Sequence, residues 1–537
     1  MNLRNTNIAK LDVETFDVLI IGGGINGAVA AASLAARGAN VALIDRGDFA
    51  AATSSNSSNL AWGGIKYLES YEFLLVNKLC AARNKLMRAY PSTVKEIRFF
   101  TTIAKGFRVW PPIVYMGSLL YWFIGRCFTK PPVYRSASAL ESGEPIINTT
   151  NAAGGIEYSD CYLYDNDARF IFNFIRRSLD YGSIAANYVE STGAHFSNGV
   201  WHTSALDHIS GREFTIRSKV LINTCGPWAD DHNQTTGDTT EHRHLLSKGV
   251  HLIVDQITDN RRVLTFFASD GRLFFLIPMG PKTCIGTTDT QVDSPHVEVT
   301  PEDREFILAN ANAVLDLERP LVLEDIIAER CGVRPLAVSG DNQEADWVQL
   351  SRKHVIEVDQ ARAHLTVFGG KLTDCLNVGD EIADMVRDLG VNLPWFDHHW
   401  YGEPPAARRR EFMHQAHLIG LDELTDPSSS EPLSERFWRR YGDSAFELLE
   451  RIREDTSCAQ LLIENAEYTR CEIELAARQE MIVKLEDFLR RRSKIEQVLR
   501  RSEILAAPGL HDACGLLFGK DADARLQEYA QLADGQQ

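Results

Sequence analysis

The 537-residue chain lacks the features that mark several special classes of protein. We find no internal repeat, no low-complexity block and no Gly/Ser linker, which argues against a solenoid and against a disordered chain. The ten cysteines are scattered, without a C-x-x-C pair or zinc-ligand spacing. They therefore predict reduced thiols and no metal site. The polar start, Met1 to Lys10, predicts no signal peptide and hence a cytoplasmic setting.

The chain also has fewer basic than acidic residues. It contains 56 Lys and Arg and 73 Asp and Glu, which gives a formal net charge of -17. This balance argues against nucleic acid as a general partner. Hydrophobic content of 44% and charged content of 24% are typical of globular proteins. The length exceeds one ordinary core, so two or three domains are expected.

The most informative feature present is a Gly-rich turn between two strands. An apolar strand over 16–21 runs into this turn at 22–27, and an Ala-rich helix follows over 28–37. A second strand over 40–44 then ends on an acid, Asp45. This order predicts a βαβ unit with a Gly-x-Gly-x-x-Gly turn, the pattern of a dinucleotide-binding site.

Each glycine of the turn has a separate task in such a site. Gly22 permits the tight turn, Gly24 lets the backbone approach a phosphate, and Gly27 lets the helix pack on the strand. The diphosphate then lies at the positive end of the helix. Asp45 is placed to accept hydrogen bonds from a ribose, so the unit predicts a bound dinucleotide. The alternative is an ordinary glycine turn.

The fingerprint alone does not choose between NAD and FAD, but the surrounding sequence favours FAD. The turn starts about twenty residues from Met1 and no second copy follows. A hydroxyl-rich stretch, 52–58, is suited to lie along a diphosphate or a flavin, although a solvated loop would have the same composition. The strand over 220–223 stops at Gly226, as at a sheet edge that meets a ligand; a buried turn is the alternative.

A second Gly-rich turn lies far along the chain. Phe368-Gly-Gly-Lys-Leu-Thr373 opens a helix that is predicted to run to Met385. The positive end of this helix, aimed at the N1–C2 edge of a flavin, would stabilise the reduced anion. The alternative is a helix start that merely has glycine before it.

Many ordered blocks between about residues 16 and 395 resemble those of the FAD-dependent glycerol-3-phosphate dehydrogenases. They comprise Asp17-Val-Leu-Ile-Ile-Gly-Gly-Gly-Ile-Asn-Gly, Ala52-Thr-Ser-Ser-x-Ser-Ser, Gly63-Gly-x-x-Tyr67-Leu-Glu, Tyr71-Glu-Phe, Glu157-Tyr-Ser-Asp-Cys161, Asn223-Thr-x-Gly-Pro-Trp228, Lys248-Gly-x-His251, Ile285-Gly-Thr-Thr-Asp289, Gly332-Val-Arg-Pro-Leu336 and Phe368-Gly-Gly-Lys-Leu-Thr373.

The resemblance implies a flavoenzyme that oxidises sn-glycerol 3-phosphate at C2 to dihydroxyacetone phosphate. It also implies a peripheral enzyme on the cytoplasmic side of the membrane, with quinone as the electron acceptor. Relatives use O₂ instead and release peroxide. Two other hypotheses stay open: a flavin dehydrogenase or oxidase for another polyol phosphate or hydroxy acid, and a non-enzymatic protein that holds FAD as a structural or redox-sensing ligand.

The chemistry requires cations to clamp the substrate phosphate and a base to take the hydroxyl proton. Arg334, flanked by apolar residues, is the first candidate for the clamp; a buried ion pair is the alternative. By resemblance Arg334 contacts substrate near the flavin, and Arg352 corresponds to a family arginine that we assign to phosphate, with surface charge as the alternative. Lys371 is expected to reach substrate or flavin, unless it is an exposed lysine at a helix start.

His251 is the candidate base, with a structural histidine as the alternative. Thr288 either binds a substrate oxygen or shapes a turn, and Lys66 and Tyr67 complete the predicted substrate contacts. The predicted FAD contacts share the glycine turns, the acid that ends the second strand and the hydroxyl-rich stretch; they are Gly22, Gly24, Ile25, Asn26, Gly27, Asp45, Arg46, Thr53, Ser54, Ser57, Gly226, Gly370, Leu372 and Thr373.

The chain departs from the family pattern at three positions. The family commonly has His-Gly-Gly-x-Arg-Tyr where Trp62 to Tyr67 stand here, so an ionisable ring is lost and Lys66 replaces a planar arginine. After Thr373 the family usually continues Thr-Tyr-Arg, whereas here Asp374 follows. An acid there would oppose an incoming phosphate unless it points away or pairs with Lys371. These departures affect the exact substrate and acceptor.

An uncharged, aromatic-rich run spans Pro111 to Gly125. As a helix it would be about 22 Å long, short of a hydrocarbon core of roughly 30 Å. Basic residues flank it at Lys105, Arg108, Arg126 and Lys130, which suits a helix lying in one leaflet of a membrane. A buried helix of the substrate domain is the alternative.

The fold class predicted is α/β (α+β), with three parts. A Rossmann-like FAD-binding domain is expected over 16–90, 155–235 and 330–395, and a mixed β-sheet substrate domain over 95–150 and 240–330. From 400 to 537 apolar residues recur at helical spacing, which predicts an amphipathic helical domain that caps the others or forms a homodimer interface. Its Arg-rich turn at 490–494 is expected to be a solvated face.

Overall fold

The computed structural model describes residues 3–339, 354–427 and 429–532. The strands of these residues, in chain order, are β1 (Thr15–Ile21), β2 (Val41–Ile44), β3 (Leu60–Ala61), β4 (Val94–Ala104), β5 (Val133–Arg135), β6 (Ala152–Leu163), β7 (Ile184–Ala186), β8 (Val189–Ser197), β9 (Val200–Asp207), β10 (Arg212–Asn223), β11 (His242–Asp255), β12 (Val263–Phe267), β13 (Leu273–Met279), β14 (Lys282–Gly286), β15 (Thr290–Val292), β16 (Ala328–Ser339), β17 (Val355–Asp359) and β18 (His364–Phe368).

The α-helices of the same residues are α1 (Leu3–Val13), α2 (Ile25–Ala36), α3 (Phe73–Ala89), α4 (Pro111–Ile124), α5 (Ala137–Gly143), α6 (Asp167–Asp180), α7 (Ala229–Thr236), α8 (Pro301–Val314), α9 (Cys375–Asp388), α10 (Ala406–Leu418), α11 (Leu433–Tyr441), α12 (Ala445–Glu454), α13 (Arg470–Gln479), α14 (Ile495–Val498), α15 (Arg501–Ala506), α16 (Leu510–Phe518) and α17 (Ala522–Gln531).

The first sheet has the arrangement expected of a dinucleotide-binding fold. Its main strand order is β17-β18-β10-β1-β2-β7, and β1 pairs in parallel with both β2 and β10. The βαβ unit predicted at the start of the chain is therefore confirmed. Its strands are buried on one face by α2, α6 and α9 and on the other by α1 with β8 and β9, which explains why β1 and β2 are almost wholly apolar.

A second, largely antiparallel sheet adjoins the first. Its main order is β15-β11-β14-β13-β12-β4-β6-β3, and β16 runs along β11 from His242–Ser339 to Ile253–Ala328. Because paired residues of antiparallel strands face the same side, this register places His251 beside Arg330 and Ser247 beside Arg334. The sheet thus presents a row of cations to the dinucleotide-binding layer.

The fold class is confirmed, and sheet membership differs from the expected domain ranges at two places. Strand β6, from residue 155 on, was expected in the FAD-binding domain but pairs with β4 in the second sheet. Strand β16, from residue 330 on, was likewise expected there but pairs with β11. Strand β6 leads directly into α6 of the first layer, so hydrophobic pattern alone could not separate the two there. The domain boundaries themselves stay a prediction.

The C-terminal helices form two apolar clusters of their own and dock on the FAD-binding layer. The expectation of a solvated Arg-rich turn was wrong: Arg490, Arg491, Arg492 and Lys494 are all buried. They belong to a turn of π-helix, Asp487–Arg492, and the residues that follow it. Charge density misled the prediction because Asp48, the carboxylate that Arg491 and Arg492 share, lies far away in the sequence, so only the tertiary fold brings them together.

Candidate active site

The glycines of the first turn lie where the chain crosses the ends of β1 and β10. Gly22 has φ +102°, and a Cβ on it would lie 2.5 Å from the carbonyl oxygen of Thr224. A Cβ on Gly27 would lie 1.9 Å from the carbonyl oxygen of Gly22. Gly24 is the N-cap of α2 and brings no side chain over the helix end. The turn therefore has the close packing and the open helix start that the fingerprint predicts.

Asp45 ends β2 beside this turn. Its carboxylate accepts hydrogen bonds from the backbone N–H groups of Gly23 (2.7 Å) and Gly47 (2.9 Å). Burial raises the pKa of Asp45 to about 6, although both N–H groups act to lower the pKa. The neighbouring Arg46 is exposed and its guanidinium stacks on Trp228, 4.1 Å from the ring centroid. This contact links the end of β2 to the turn that begins at Gly226, which has φ +55°.

The hydroxyl-rich stretch ties the helix start to the second sheet. Ser54 Oγ accepts a hydrogen bond from Ile25 N, in the first turn of α2 (3.1 Å). Its neighbour Thr53 donates to the carbonyl oxygen of Val333 (2.5 Å). Ser57 instead faces inward: its N–H donates to Asp167 and its hydroxyl accepts from the backbone. The stretch is thus an ordered bridge and not a solvated loop.

The second Gly-rich turn lies against the first. Asn26 Nδ2 donates to the carbonyl oxygen of Gly369 (2.9 Å), and Gly370 has φ +116° with the Asn26 side chain beside it. Lys371 Nζ donates to the Tyr67 hydroxyl (2.8 Å) and lies 4.3 Å from that ring's centroid. Leu372 and Thr373 form the short 3-10 turn before α9. Two residues predicted to bind substrate, Lys371 and Tyr67, are thus brought together.

Arg334 lies across a gap that a glycine leaves in the second sheet. A Cβ on Gly249 would fall 2.2 Å from the guanidinium, so only glycine fits there. Arg334 donates to Thr287 Oγ1 (2.9 Å) and pairs with Asp289 (3.2 Å). The ion pair that was the alternative therefore exists, but the guanidinium is not enclosed: 26% of the side chain is exposed. Thr288 Oγ1 accepts from Val250 N (3.0 Å), which favours the turn-shaping alternative for Thr288.

His251 is buried on β11 next to these arginines. Neither ring nitrogen has a hydrogen-bond partner among the described residues. Burial, together with the nearby charges of Arg334 and Arg330, lowers the pKa of His251 to about 3. The imidazole is therefore neutral at ordinary pH and has two nitrogens available, one of them as a proton acceptor. An anion bound to Arg334 would raise the basicity of His251 by offsetting the positive charge beside it.

The departures from the family pattern are accommodated locally. Trp62 donates from Nε1 to the Tyr158 hydroxyl (3.3 Å), and Lys66 is exposed on the 3-10 turn Ile65–Leu68 that also carries Tyr67. The Asp374 carboxylate lies 3.2 Å from His354 and 3.6 Å from Lys78. Its negative charge is therefore neutralised by these cations, and the described contacts include none to Lys371.

His354 predicts a pH dependence of stability. Its ring lies 3.2 Å from Asp374 and 2.7 Å from Glu381; hydrogen bonds to both carboxylates raise the pKa of His354 to about 9, against the effect of burial. The folded pKa lies above the unfolded value of about 6.5. The contacts of His354 are therefore expected to stabilise the fold by about 2–3 kcal/mol below the unfolded pKa. This stabilisation is lost as the pH rises through about 9.

Urea unfolding of the wild type and His354→Gln at about pH 6 and about pH 10 checks this expectation. The difference in unfolding free energy between the two proteins should shrink at the higher pH. An equal difference at both values would contradict it. Asp359→Ala, which removes an ion pair with Arg362 but no titrating histidine, serves as the control.

Sequence reasoning missed two residues that shape the site. Arg330 is fully buried; it donates to the carbonyl oxygen of Ser57 and to Asn59, and it faces His251. The side chain of Asn56 fills the space above Gly332. Arg330 lies four residues before Arg334 in one strand, so the two-residue period of β16 could have identified it. Arg352, the second predicted phosphate ligand, lies outside the described residues.

The arrangement fits FAD. The glycines keep side chains away from the start of α2, whose first N–H groups have no carbonyl acceptor within the helix. Asp45 offers a carboxylate for a ribose. The turn at Gly370 lies beside the start of α2, because Asn26 of that helix donates a hydrogen bond to Gly369. The residues that would hold the cofactor thus come from three separate segments that converge on one helix end.

Comparisons with known proteins agree with this geometry. Residues 17–344 match the family model described as FAD dependent oxidoreductase, and residues 408–525 match the C-terminal domain of alpha-glycerophosphate oxidase. A protein of Pseudomonas aeruginosa named glycerol-3-phosphate dehydrogenase is 29% identical over 521 residues, 94% of this chain and 96% of the relative. A Brucella abortus protein named D-erythritol 1-phosphate dehydrogenase is 31% identical over 369 residues, 67% of this chain and 71% of the relative.

A solved structure adds the fold. Glycerol-3-phosphate dehydrogenase from Bacillus halodurans, complexed with FAD, superposes with a TM-score of 0.71 at 23% identity, over 98% of this chain and 96% of that one. The family resemblance expected from the sequence motifs is confirmed. The chain is a member of the FAD-dependent oxidoreductase family, an enzyme with FAD as its cofactor.

Proposed function

We propose that this enzyme oxidises sn-glycerol 3-phosphate at C2 to dihydroxyacetone phosphate and passes the electrons to a quinone at the cytoplasmic surface of a membrane. The observation that carries the proposal is the convergence of two cationic segments on the start of α2. Thr53 and Ser54 connect it to the strand of Arg334, and Asn26 connects it to the turn of Lys371. A phosphorylated alcohol bound there would have its phosphate beside one cationic segment and its carbinol group beside the other.

The reaction divides into tasks for named residues. When bound, FAD would supply the acceptor for the two electrons and the hydrogen that leave C2 of the substrate. Arg334 binds the substrate phosphate with charge-assisted hydrogen bonds. Lys371, held by Tyr67, places a positive charge beside the developing negative charge. His251, neutral and with no hydrogen-bond partner among the described residues, accepts the hydroxyl proton.

Anaerobic titration of the FAD-loaded enzyme with sn-glycerol 3-phosphate tests the reaction. Loss of the oxidised flavin absorbance and recovery of stoichiometric dihydroxyacetone phosphate are expected. No bleaching by this substrate would overturn the assignment. D-erythritol 1-phosphate is the comparison substrate, because a relative bears that name and Trp62 replaces the family histidine in this chain. Bleaching by that compound alone would support the second candidate, a longer polyol phosphate.

The membrane part of the proposal rests on α4. Its apolar residues are exposed at intervals of three or four: Trp110 (just before the helix), Ile113, Met116, Leu120 and Phe123, with exposures from 43% to 69%. A helix buried in the substrate domain, the alternative interpretation, would not expose such an apolar face. Arg108 pairs with Glu69, which places Tyr71 and Leu74, also exposed, near the same surface. No described helix is long and apolar enough to cross a membrane.

This apolar surface adjoins the proposed active site. The 3-10 turn Ile65–Leu68, which carries Lys66 and Tyr67, packs against α4. An acceptor dissolved in the membrane would therefore arrive close to the pair of Tyr67 and Lys371. This proximity favours quinone over O₂, and the yield of peroxide against quinone reduction measures the choice. A homodimer through the C-terminal helices stays a prediction, testable by light scattering.

Removal of the exposed side chains of α4 is expected to release the enzyme from membranes. Met116→Ser with Phe123→Ser should weaken binding to anionic phospholipid vesicles about 10²- to 10⁴-fold, since each buried apolar side chain contributes about 1.5–3 kcal/mol. Vesicle sedimentation is the measurement. Val322→Ser with Leu323→Ser, which are also exposed but lie elsewhere, is the matched control. An equal effect of both double variants would contradict a specific membrane face.

A further inference from the structure

We propose that a pocket between the FAD-binding layer and the C-terminal helices binds a small organic anion, a phosphate or carboxylate attached to a ring or apolar group. This interdomain pocket lies between α6 on one side and, on the other, the end of α11 with the segment 400–404. Its cavity volume is about 110 Å³, and it opens to solvent on one side. None of its lining residues belongs to the proposed active site.

The pocket contains polar atoms that the protein leaves unsatisfied. Arg176 Nη1, Arg177 Nε and Trp438 Nε1 are buried donors with no hydrogen-bond partner among the described residues. Asn173 Oδ1 is a buried acceptor in the same condition. Trp438 is only 1% exposed, so bulk water does not compensate its N–H. Unsatisfied buried groups are costly, and three donors against one acceptor fit an anion.

The charges of the pocket floor also favour an anion. The carboxylate nearest Arg176 is Glu480 at 3.9 Å, and both oxygens of Glu480 already accept from Arg169 at 2.7 Å. Burial and the charge of Arg169 lower the pKa of Arg176 to about 10, which leaves it cationic at neutral pH. Arg177 has no carboxylate partner within 4.0 Å among the described residues and donates to the Tyr181 hydroxyl. Two guanidinium groups thus lack a dedicated counter-ion.

Of the three acidic residues of the lining, only Asp180 acts on these arginines, and its charge offsets theirs in part. Glu403 is held by the N–H and hydroxyl of Ser92, and Asp443 pairs with Arg408 at 3.2 Å. Asp180 is exposed at the mouth of the pocket. The remaining arginines of the lining, at 439 and 440, are both paired with Asp165. The excess positive charge is therefore confined to the face that α6 presents.

Aromatic rings supply the rest of the wall. Phe174 lies 6.0 Å from Trp400 and 5.8 Å from Tyr90, measured between ring centroids. Such a wall accepts a ring or an aliphatic group beside the anion. A ligand in this position would touch α6 of the FAD-binding layer and α11 of the C-terminal helices at once. Its binding would therefore strengthen the docking of the two parts.

Calorimetry on the FAD-loaded enzyme tests the proposal with three probes: phenyl phosphate, benzoate and inorganic phosphate. We expect phenyl phosphate or benzoate to bind with a Kd of about 1 mM or tighter and more tightly than inorganic phosphate. Preference for phenyl phosphate identifies a phosphate ligand, and preference for benzoate a carboxylate. Arg177→Gln and Trp438→Phe should each weaken binding by about tenfold. Arg334→Ala, in the proposed active site, should leave it unchanged.

Two results would overturn the proposal. One is the absence of binding heat for all three probes with the wild type. The other is binding that Arg177→Gln and Trp438→Phe leave unchanged, since the anion would then lie elsewhere. Trp438→Phe removes the N–H donor together with part of a buried indole, so the unfolding midpoint of this variant is measured beside that of the wild type to separate lost binding from lost folding. Flavin absorbance recorded in parallel reports whether a probe enters the active site instead.

Discussion

Replacement of Arg334 by alanine is expected to lower kcat/KM for sn-glycerol 3-phosphate by about 10²- to 10³-fold while FAD stays bound. The guanidinium would make charge-assisted bonds to the substrate phosphate, each contributing about 1.5–3 kcal/mol. It contacts Thr287 and Asp289 of the second sheet and none of the glycines of the first turn. Most of the loss should therefore appear in KM, because the phosphate is held in both the ground state and the transition state.

Steady-state kinetics together with the flavin absorbance per mole of protein measure both parts of this expectation. Arg319→Ala is a matched control, because Arg319 likewise pairs with a carboxylate, that of Asp325, but lies 67% exposed on the surface. An unchanged KM in Arg334→Ala would exclude a phosphate clamp at this residue. Loss of flavin in the same variant would mean that the arginine supports the cofactor rather than the substrate.

The second large effect is expected from replacement of Asp48, which links the first glycine-rich segment to the C-terminal helices. Its carboxylate is 1% exposed and accepts from Arg491 Nε (2.7 Å) and from both Nη atoms of Arg492 (2.8 Å each). These arginines hold the pKa of Asp48 below its usual value, against the effect of burial. Asp48→Ala would leave buried positive charge uncompensated, at a cost of about 3–5 kcal/mol in the free energy of unfolding.

The same substitution is expected to weaken FAD binding. Asp48 adjoins Phe49, whose ring lies where a Cβ on Gly23 would fall, and Ala50 N donates to the carbonyl oxygen of Gly23. The loop that the C-terminal arginines anchor thus also supports the first glycine turn. Movement of this loop would disturb the diphosphate site.

Urea unfolding and the release of FAD on dilution measure the two effects of Asp48→Ala. The control is Asp384→Ala, since Asp384 forms an exposed ion pair with Arg387 that should contribute less than about 1 kcal/mol. Equal destabilisation by the two variants would argue against a buried anchor. If Asp48→Ala is destabilised but releases FAD no faster than the wild type, the role of Asp48 is limited to docking the C-terminal helices.

Local patterns predicted the dinucleotide-binding unit well because its parts are local. A strand, a turn and a helix start need only residues 16–45, and the steric demands on Gly22 and Gly27 follow from backbone geometry. The turn at Gly370 was recognisable for the same reason. Side-chain partners were harder to predict: Asp374 needed a cation, but nothing near it in the sequence indicated that this would be His354.

The amino-acid sequence by itself determined the dinucleotide-binding unit, the order of the motifs and the apolar face of α4, since each depends on neighbours within a few turns of chain. Only the tertiary structure decided which charges are buried. The stretch 490–494 has the composition of a solvated turn, yet Arg491 and Arg492 meet Asp48 across more than four hundred residues. Because burial removes the hydration of a charged group, the buried arrangement is stable only where an opposite charge lies beside it. A sequence pattern does not show which distant residues will lie side by side.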